Sequence, residues 1–129
     1  MQAHKGYYSL IQFCPDPGRA EVANIGVLVF CPDFDYLDVA LSKNNRRVIE
    51  VFGGKSFDAS WLNDAKKSFL TGIQSERERF KSLADLEQFV TSRGNELILT
   101  KPRAMRIEDA ASALEALHAE LVEPLRDDH

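Results

Sequence analysis

Two runs of β-branched and aromatic residues, Tyr7–Cys14 and Asn24–Cys31, organise the front of the chain, and both close on the same four residues, Phe-Cys-Pro-Asp. Pro15-Asp16-Pro17-Gly18 stops the first. Proline fixes φ and glycine permits positive φ, so a turn is expected there. The second contains Ile25-Gly-Val-Leu-Val-Phe-Cys31, an almost unbroken apolar stretch that suits a strand buried on both faces. Tyr36–Leu41 alternates apolar and polar over its first half, as a half-exposed strand does. Three successive strands with short connections predict an antiparallel meander.

The period then changes. Asn44 or Asn45 can cap a short helix through Val48, Val51 and Phe52, with Gly53-Gly54 as its stop. Ser56 or Asp58 caps a longer one, in which Leu62, Ala65, Phe69, Ile73 and Phe80 fall on one stripe near the helical repeat. Ser82 with Asp85 three residues on resembles a capping box ahead of Leu83, Leu86, Phe89 and Val90, and Gly94 ends that helix. Glu96–Thr100 reads as a fourth strand, closed at Pro102. The last helix is expected over Glu108–Leu125, its regular part ending near Val122 because of Pro124. The fold class that follows is α+β: an antiparallel sheet of about four strands, a three-strand meander plus a later strand, packed by three to four helices in a single domain over residues 1–129. The predicted core comprises Ile11, Phe13, Val27, Val29, Phe69, Ile73, Leu99, Leu114 and Leu117.

Charge adds one feature. The 129 residues carry a net charge of −4, which argues against nucleic acid or an anionic membrane as a partner for the whole molecule. The sign is unevenly spread: residues 43–81 hold 9 basic and 5 acidic groups, a local +4 between flanks of −3 and −5. Solvated helix faces are the plain reading of that segment. The longest apolar run is too short to cross a bilayer, and the first residues lack the apolar core of an export signal. Two cysteines in such a chain suggest free thiols and a cytoplasmic location.

Several residues taken in order resemble a known family. They are the aromatic strand closed by Pro15-Asp16, the Glu21-x-x-Asn24-x-Gly26-Val27 lead into the second strand, and Arg47-Val48 after the third. Arg93-Gly94-Asn95, Leu99 and Pro102-Arg103 complete the set. Order and spacing rather than any one motif make the chain similar to the bacterial DUF3037 family, a domain of unknown function, over almost its whole length. The resemblance implies a small α+β protein without established chemistry. It also implies an accessory role beside a HipA-like kinase, in a toxin–antitoxin setting. Cys14 and Cys31 belong to no part of that pattern.

Four groups are candidates for a site. In a hairpin, Cys14 and Cys31 end antiparallel partner strands and lie on the order of 20 Å apart, which excludes a disulfide between them. His4, His118 and His129 show no ligand spacing, so no metal is expected. Asp16, Arg19, Glu21 and Asn24 cluster in the first loop. They could converge on a ligand, or serve the loop itself through an Asx-turn and a surface ion pair. Arg46 and Arg47, with Lys43, Lys55, Lys66 and Lys67, could contact phosphates or a partner. Arg93, Asn95 and Arg103, which bracket the fourth strand, could do the same. Phosphate-binding glycine loops, nucleophile elbows and zinc-protease signatures are absent. The expectation is a non-catalytic cytoplasmic protein that binds another protein and needs no cofactor, a HipA-like kinase being the partner implied. The alternatives are a small enzyme acting on a phosphate-containing substrate through Asp16 and Glu21, and a weak nucleic-acid binder using the 43–67 basic segment. The oligomeric state is left open.

Overall fold

In the computed structural model, residues 4–14, 22–52, 58–92 and 97–122 are described. β1 (His4–Phe13) and β2 (Ala23–Cys31) pair antiparallel, and β3 (Tyr36–Leu41) pairs antiparallel with β2, forming the expected meander. Between β2 and β3, Pro32–Phe34 make a single tight 3₁₀ turn. Asp35 closes it in the left-handed region (φ 51°), its N–H donating to Pro32 O at 3.0 Å. Aspartate tolerates that region better than most residues. The second Phe-Cys-Pro-Asp is thus a strand-to-turn junction. The turn expected at the first, and the stops at Gly53-Gly54 and Gly94, lie outside the described residues.

The other edge of β1 is shared end to end by two short strands. β4 (Leu97–Leu99) pairs with Ile11–Phe13, and β5 (Arg103–Ile107) pairs with His4–Tyr8, both antiparallel. β4 falls within the expected fourth strand, whereas β5 is an addition to the predicted four. Arg103-Ala-Met-Arg-Ile carries one β-branched residue and two exposed arginines, so it lacks the strand signature and is held by its place beside β1.

Four helices complete the chain: α1 (Arg46–Phe52), α2 (Ala59–Glu76), α3 (Leu83–Ser92) and α4 (Ala110–Leu121). Their starts follow local capping chemistry. Asn44 Oδ1 accepts from Arg46 N at 3.0 Å, and Asp58 Oδ1 accepts from Trp61 N at 3.1 Å. Asp109 Oδ1 accepts from Ala111 N and Ser112 N, which starts α4 two residues later than expected. At α3 the acid of the capping box is engaged: Asp85 Oδ2 accepts from Lys81 N (2.8 Å) and Ser82 N (3.0 Å), and these donors hold its carboxyl below the usual range.

Apolar side chains cover both faces of the sheet, so the single predicted core divides into two. Ile11, Phe13, Leu28 and Phe30 meet Val48, Leu62, Phe69, Ile73, Phe80 and Leu86 beneath α1–α3, joined by Leu99 from β4. Val27, Val29, Cys31 and Ile107 meet Ala110, Leu114 and Val122 of the α4 side, with Leu117 partly buried against them. β2 is central and buried on both faces, as its continuous apolar run implies. Its alternation is broken once. The register passes from Ile11↔Gly26 to Gln12↔Asn24, so Ile25 is an extra residue on β2. This bulge keeps Ile25 in the α1–α3 core while turning Asn24 towards α4. Beside it, a Cβ on Gly26 would lie 3.1 Å from Ala40 O and would have to displace the end of the Leu41 side chain, 2.6 Å away, so glycine eases the close approach of β3.

Candidate functional site

The bulge and the first turn of α1 bring two of the sequence-predicted residues to one place, the C-terminal end of α4. Gln12 Nε2 donates to Asn24 Oδ1 (2.9 Å), and Asn24 Nδ2 donates to Leu121 O (3.2 Å). From the other side Arg47 Nε donates to Val122 O at 2.9 Å. The last carbonyls of a helix lack intrahelical donors and carry the negative end of its dipole. An amide and a guanidinium supplied from 97 and 75 residues away satisfy them. His118, inside the same helix, has Nε2 3.0 Å from Leu41 O of β3. These contacts fasten α4 to the sheet. Asn24 therefore serves the fold rather than an isolated loop.

Lys66 departs furthest from expectation. It lies on the buried stripe of α2 between Leu62 and Phe69 and is 8% exposed. Its ammonium donates to Ser42 Oγ and Asn45 Oδ1, both at 2.9 Å, with Ser42 O and Asn44 O at 3.3 and 3.4 Å. Burial among these neutral acceptors pushes its pKa down from 10.5. Lys66 ties α2 to the β3–α1 loop and is withdrawn from the basic surface segment. Its position could have been found in the sequence, because 62, 66, 69 and 73 continue one helical stripe.

Arg46 and Arg103 are exposed and belong to neither cluster. Arg46 is at the start of α1, and Arg103 faces Tyr8 across the β1–β5 pairing. Asp16, Arg19, Glu21, Arg93 and Asn95 lie outside the described residues. Cys14 and Cys31 are buried free thiols, and burial pushes the Cys31 thiol up, away from nucleophilic reactivity. Among the described residues no three His, Cys, Asp or Glu side chains group as metal ligands. No helix among them is long and apolar enough to cross a membrane.

Large apolar side chains are also exposed on α1 and α2. Ile49 and Val51 on α1 are 48% and 40% exposed, and Trp61 in the first turn of α2 is 41% exposed. The Trp61 ring is not isolated. Its centroid is 6.1 Å from that of Phe13, which also meets Phe52 edge-on at 5.8 Å. One side of the indole thus rests on the core while the rest faces water. The apolar pattern of α1 includes Val51 beside Val48 and Phe52, yet Val51 is left exposed while Val48 is buried; Ile49 and Trp61 belong to no predicted stripe.

Comparison with known proteins adds the family. No curated protein and no solved structure matches the chain. Residues 8–122, from within β1 to just past the end of α4, match the family described as "Protein of unknown function (DUF3037)", and the chain belongs to that family.

Proposed function

We propose that this chain is a non-catalytic accessory protein that works by binding another protein, with the α1–α2 surface as its contact. The observation that carries the reading is the exposure of Trp61 in the first turn of α2, seated on Phe13, which also meets Phe52 of α1; Ile49 and Val51 are exposed on either side of the buried face of α1. Large apolar side chains left in water favour association, and tryptophan anchored on a rigid core is the residue type that most often dominates a protein interface. The Phe13 and Phe52 rings beneath Trp61 supply that rigidity. The polar candidates support the same reading from the other side, because Asn24, Arg47 and Lys66 donate to the protein's own acceptors.

The partner implied by the family resemblance is a HipA-like kinase, acting in the cytoplasm. The direct test is calorimetric titration of the purified chain into such a kinase from the same cells. The parent binds. Trp61→Ala weakens binding at least about tenfold, the scale of a hot-spot truncation, with its melting temperature retained. Arg46→Ala changes affinity little. Equal affinities for parent and Trp61→Ala would remove the α1–α2 surface from the account. Salt-sensitive binding of the parent to DNA, lost in a Lys43→Ala/Arg46→Ala variant, would replace it with the nucleic-acid reading.

A further inference from the structure

The sheet has two edges, and they are finished differently. Along β3, Ser42 N donates to Ile25 O at 2.7 Å, so Ser42, Ala40 and Asp38 bond towards β2 while Leu41 and Val39 point outward. Two of those outward groups are occupied: Asp38 Oδ1 accepts the Val39 N–H at 2.8 Å, and His118 Nε2 meets Leu41 O at 3.0 Å. The same alternation applies to the opposite edge. Thr100 N donates to Leu10 O at 3.0 Å, so even-numbered residues of β1 face this side. Their partners on β5 are Arg103, Met105 and Ile107, which leaves the N–H and C=O of Ala104 and Arg106 pointing outward. Among the described residues β5 pairs with β1 alone, and no side chain bonds those outward groups.

Within β5 the charge is one-sided: Arg103 and Arg106 are exposed, between exposed Lys101 before the strand and exposed Glu108 after it, and Arg106 stands directly opposite exposed Lys5 across the β1–β5 pairing. Like charges in a cross-strand pair repel. Among the described residues neither cation forms an ion pair, and Lys5 instead has its Nζ 6.0 Å from the Tyr7 ring centroid. Small Ala104 lies beside them, in an open groove that Lys5, Met105 and Arg106 also line.

We propose that the outer edge of β5 is a docking strand for an extended acidic segment of a partner protein. The segment pairs its backbone with Ala104 and Arg106 and sets carboxylates against Arg103 and Arg106. Arginines on an exposed edge also deter uncontrolled strand pairing, and that same repulsion makes the edge selective for an acidic strand. Arg103 and Arg106 are three residues apart and so point to opposite faces of the sheet. The matching segment therefore carries acids three residues apart, one for each face. This surface is separate from the α1–α2 contact and stands or falls independently of it.

The probe is an extended synthetic peptide of alternating Val and Thr carrying two Glu three residues apart, with a Lys-for-Glu twin as control. It is titrated into the isotopically labelled full chain and followed by amide chemical shifts. The Glu peptide should shift the Ala104 and Arg106 amides most, with affinity falling as salt rises; the Lys twin should not bind. Arg103→Glu/Arg106→Glu should weaken the Glu peptide by about tenfold or more and confer binding of the Lys twin, as charge reversal at a complementary interface does. Trp61→Ala should leave both results unchanged. The proposal is overturned if the Ala104 and Arg106 amides stay still, if charge reversal leaves the preference unaltered, or if Trp61→Ala abolishes the shifts. It is equally overturned if the parent alone forms a concentration-dependent dimer that occupies the same amides, which would make a second copy the occupant.

Discussion

Ser9 is fully buried in β1, and its Oγ has no hydrogen-bond partner among the described residues. A buried hydroxyl without a partner has lost its hydration and gained nothing for it. Ser9→Ala is therefore expected to raise stability by about 1 kcal/mol, measured by urea unfolding at an unchanged slope. Lys66 is the other buried polar residue, and its amine gives a pH signature. Its folded pKa is depressed below the unfolded value of 10.5, so folding with the charged amine carries a penalty that is full below the folded pKa. As pH rises between the folded and unfolded pKa values the unfolded state binds more protons, and stability increases. Unfolding curves of the parent and Lys66→Met, compared over the range up to about pH 10.5, should show the difference between them shifting in favour of the parent as pH rises. A constant difference would mean that the amine is hydrated.

At the scale of elements, two side chains distant in sequence finish α4. Removing one donor from a helix-end carbonyl costs about 1 kcal/mol for a neutral partner and about 1.5–3 for a charged one. Asn24→Ala and Arg47→Ala should each destabilise by those amounts, the arginine more, with faster amide exchange confined first to the last turn of α4. Phe69→Ala should cost about 3–5 kcal/mol, because the ring is 3% exposed in the α1–α3 core. The meander, the helices and most of the core were legible because each rests on local periodicity: Tyr36–Leu41 alternates, and Leu62, Phe69 and Ile73 repeat at helical spacing. β5 was not legible, since an edge strand of arginines and alanine is specified by its neighbour β1 rather than by its own residues. The division of the core was half visible. The continuous run Ile25–Cys31 announces a strand buried twice, but the bulge at Ile25, which decides where Asn24 points, depends on pairing with Gln12.

For the whole molecule, the same dependence on tertiary pairing explains why the candidate site was hard to find. Arg47 and Asn24 looked like ligand-binding residues because they are polar and lie near turns; the end of α4 that engages them is nearly a hundred residues away from Asn24. Trp61 could be placed on a helix from its sequence, yet its half-exposed seat on Phe13 requires β1 to lie beneath α2. Among the described residues Asn24, Arg47 and Lys66 are engaged internally, which leaves two unlike exposed features, Trp61 with the apolar positions of α1 and the arginines at the edge of β5. The proposed association uses the first of these. Hydrogen–deuterium exchange is to be compared between the free chain and the chain saturated with a HipA-like kinase. Slowed exchange is expected across Arg46–Phe52 and the first turn of α2 around Trp61. Protection confined to β5, or none on α1 and α2 in a saturated complex, would contradict it.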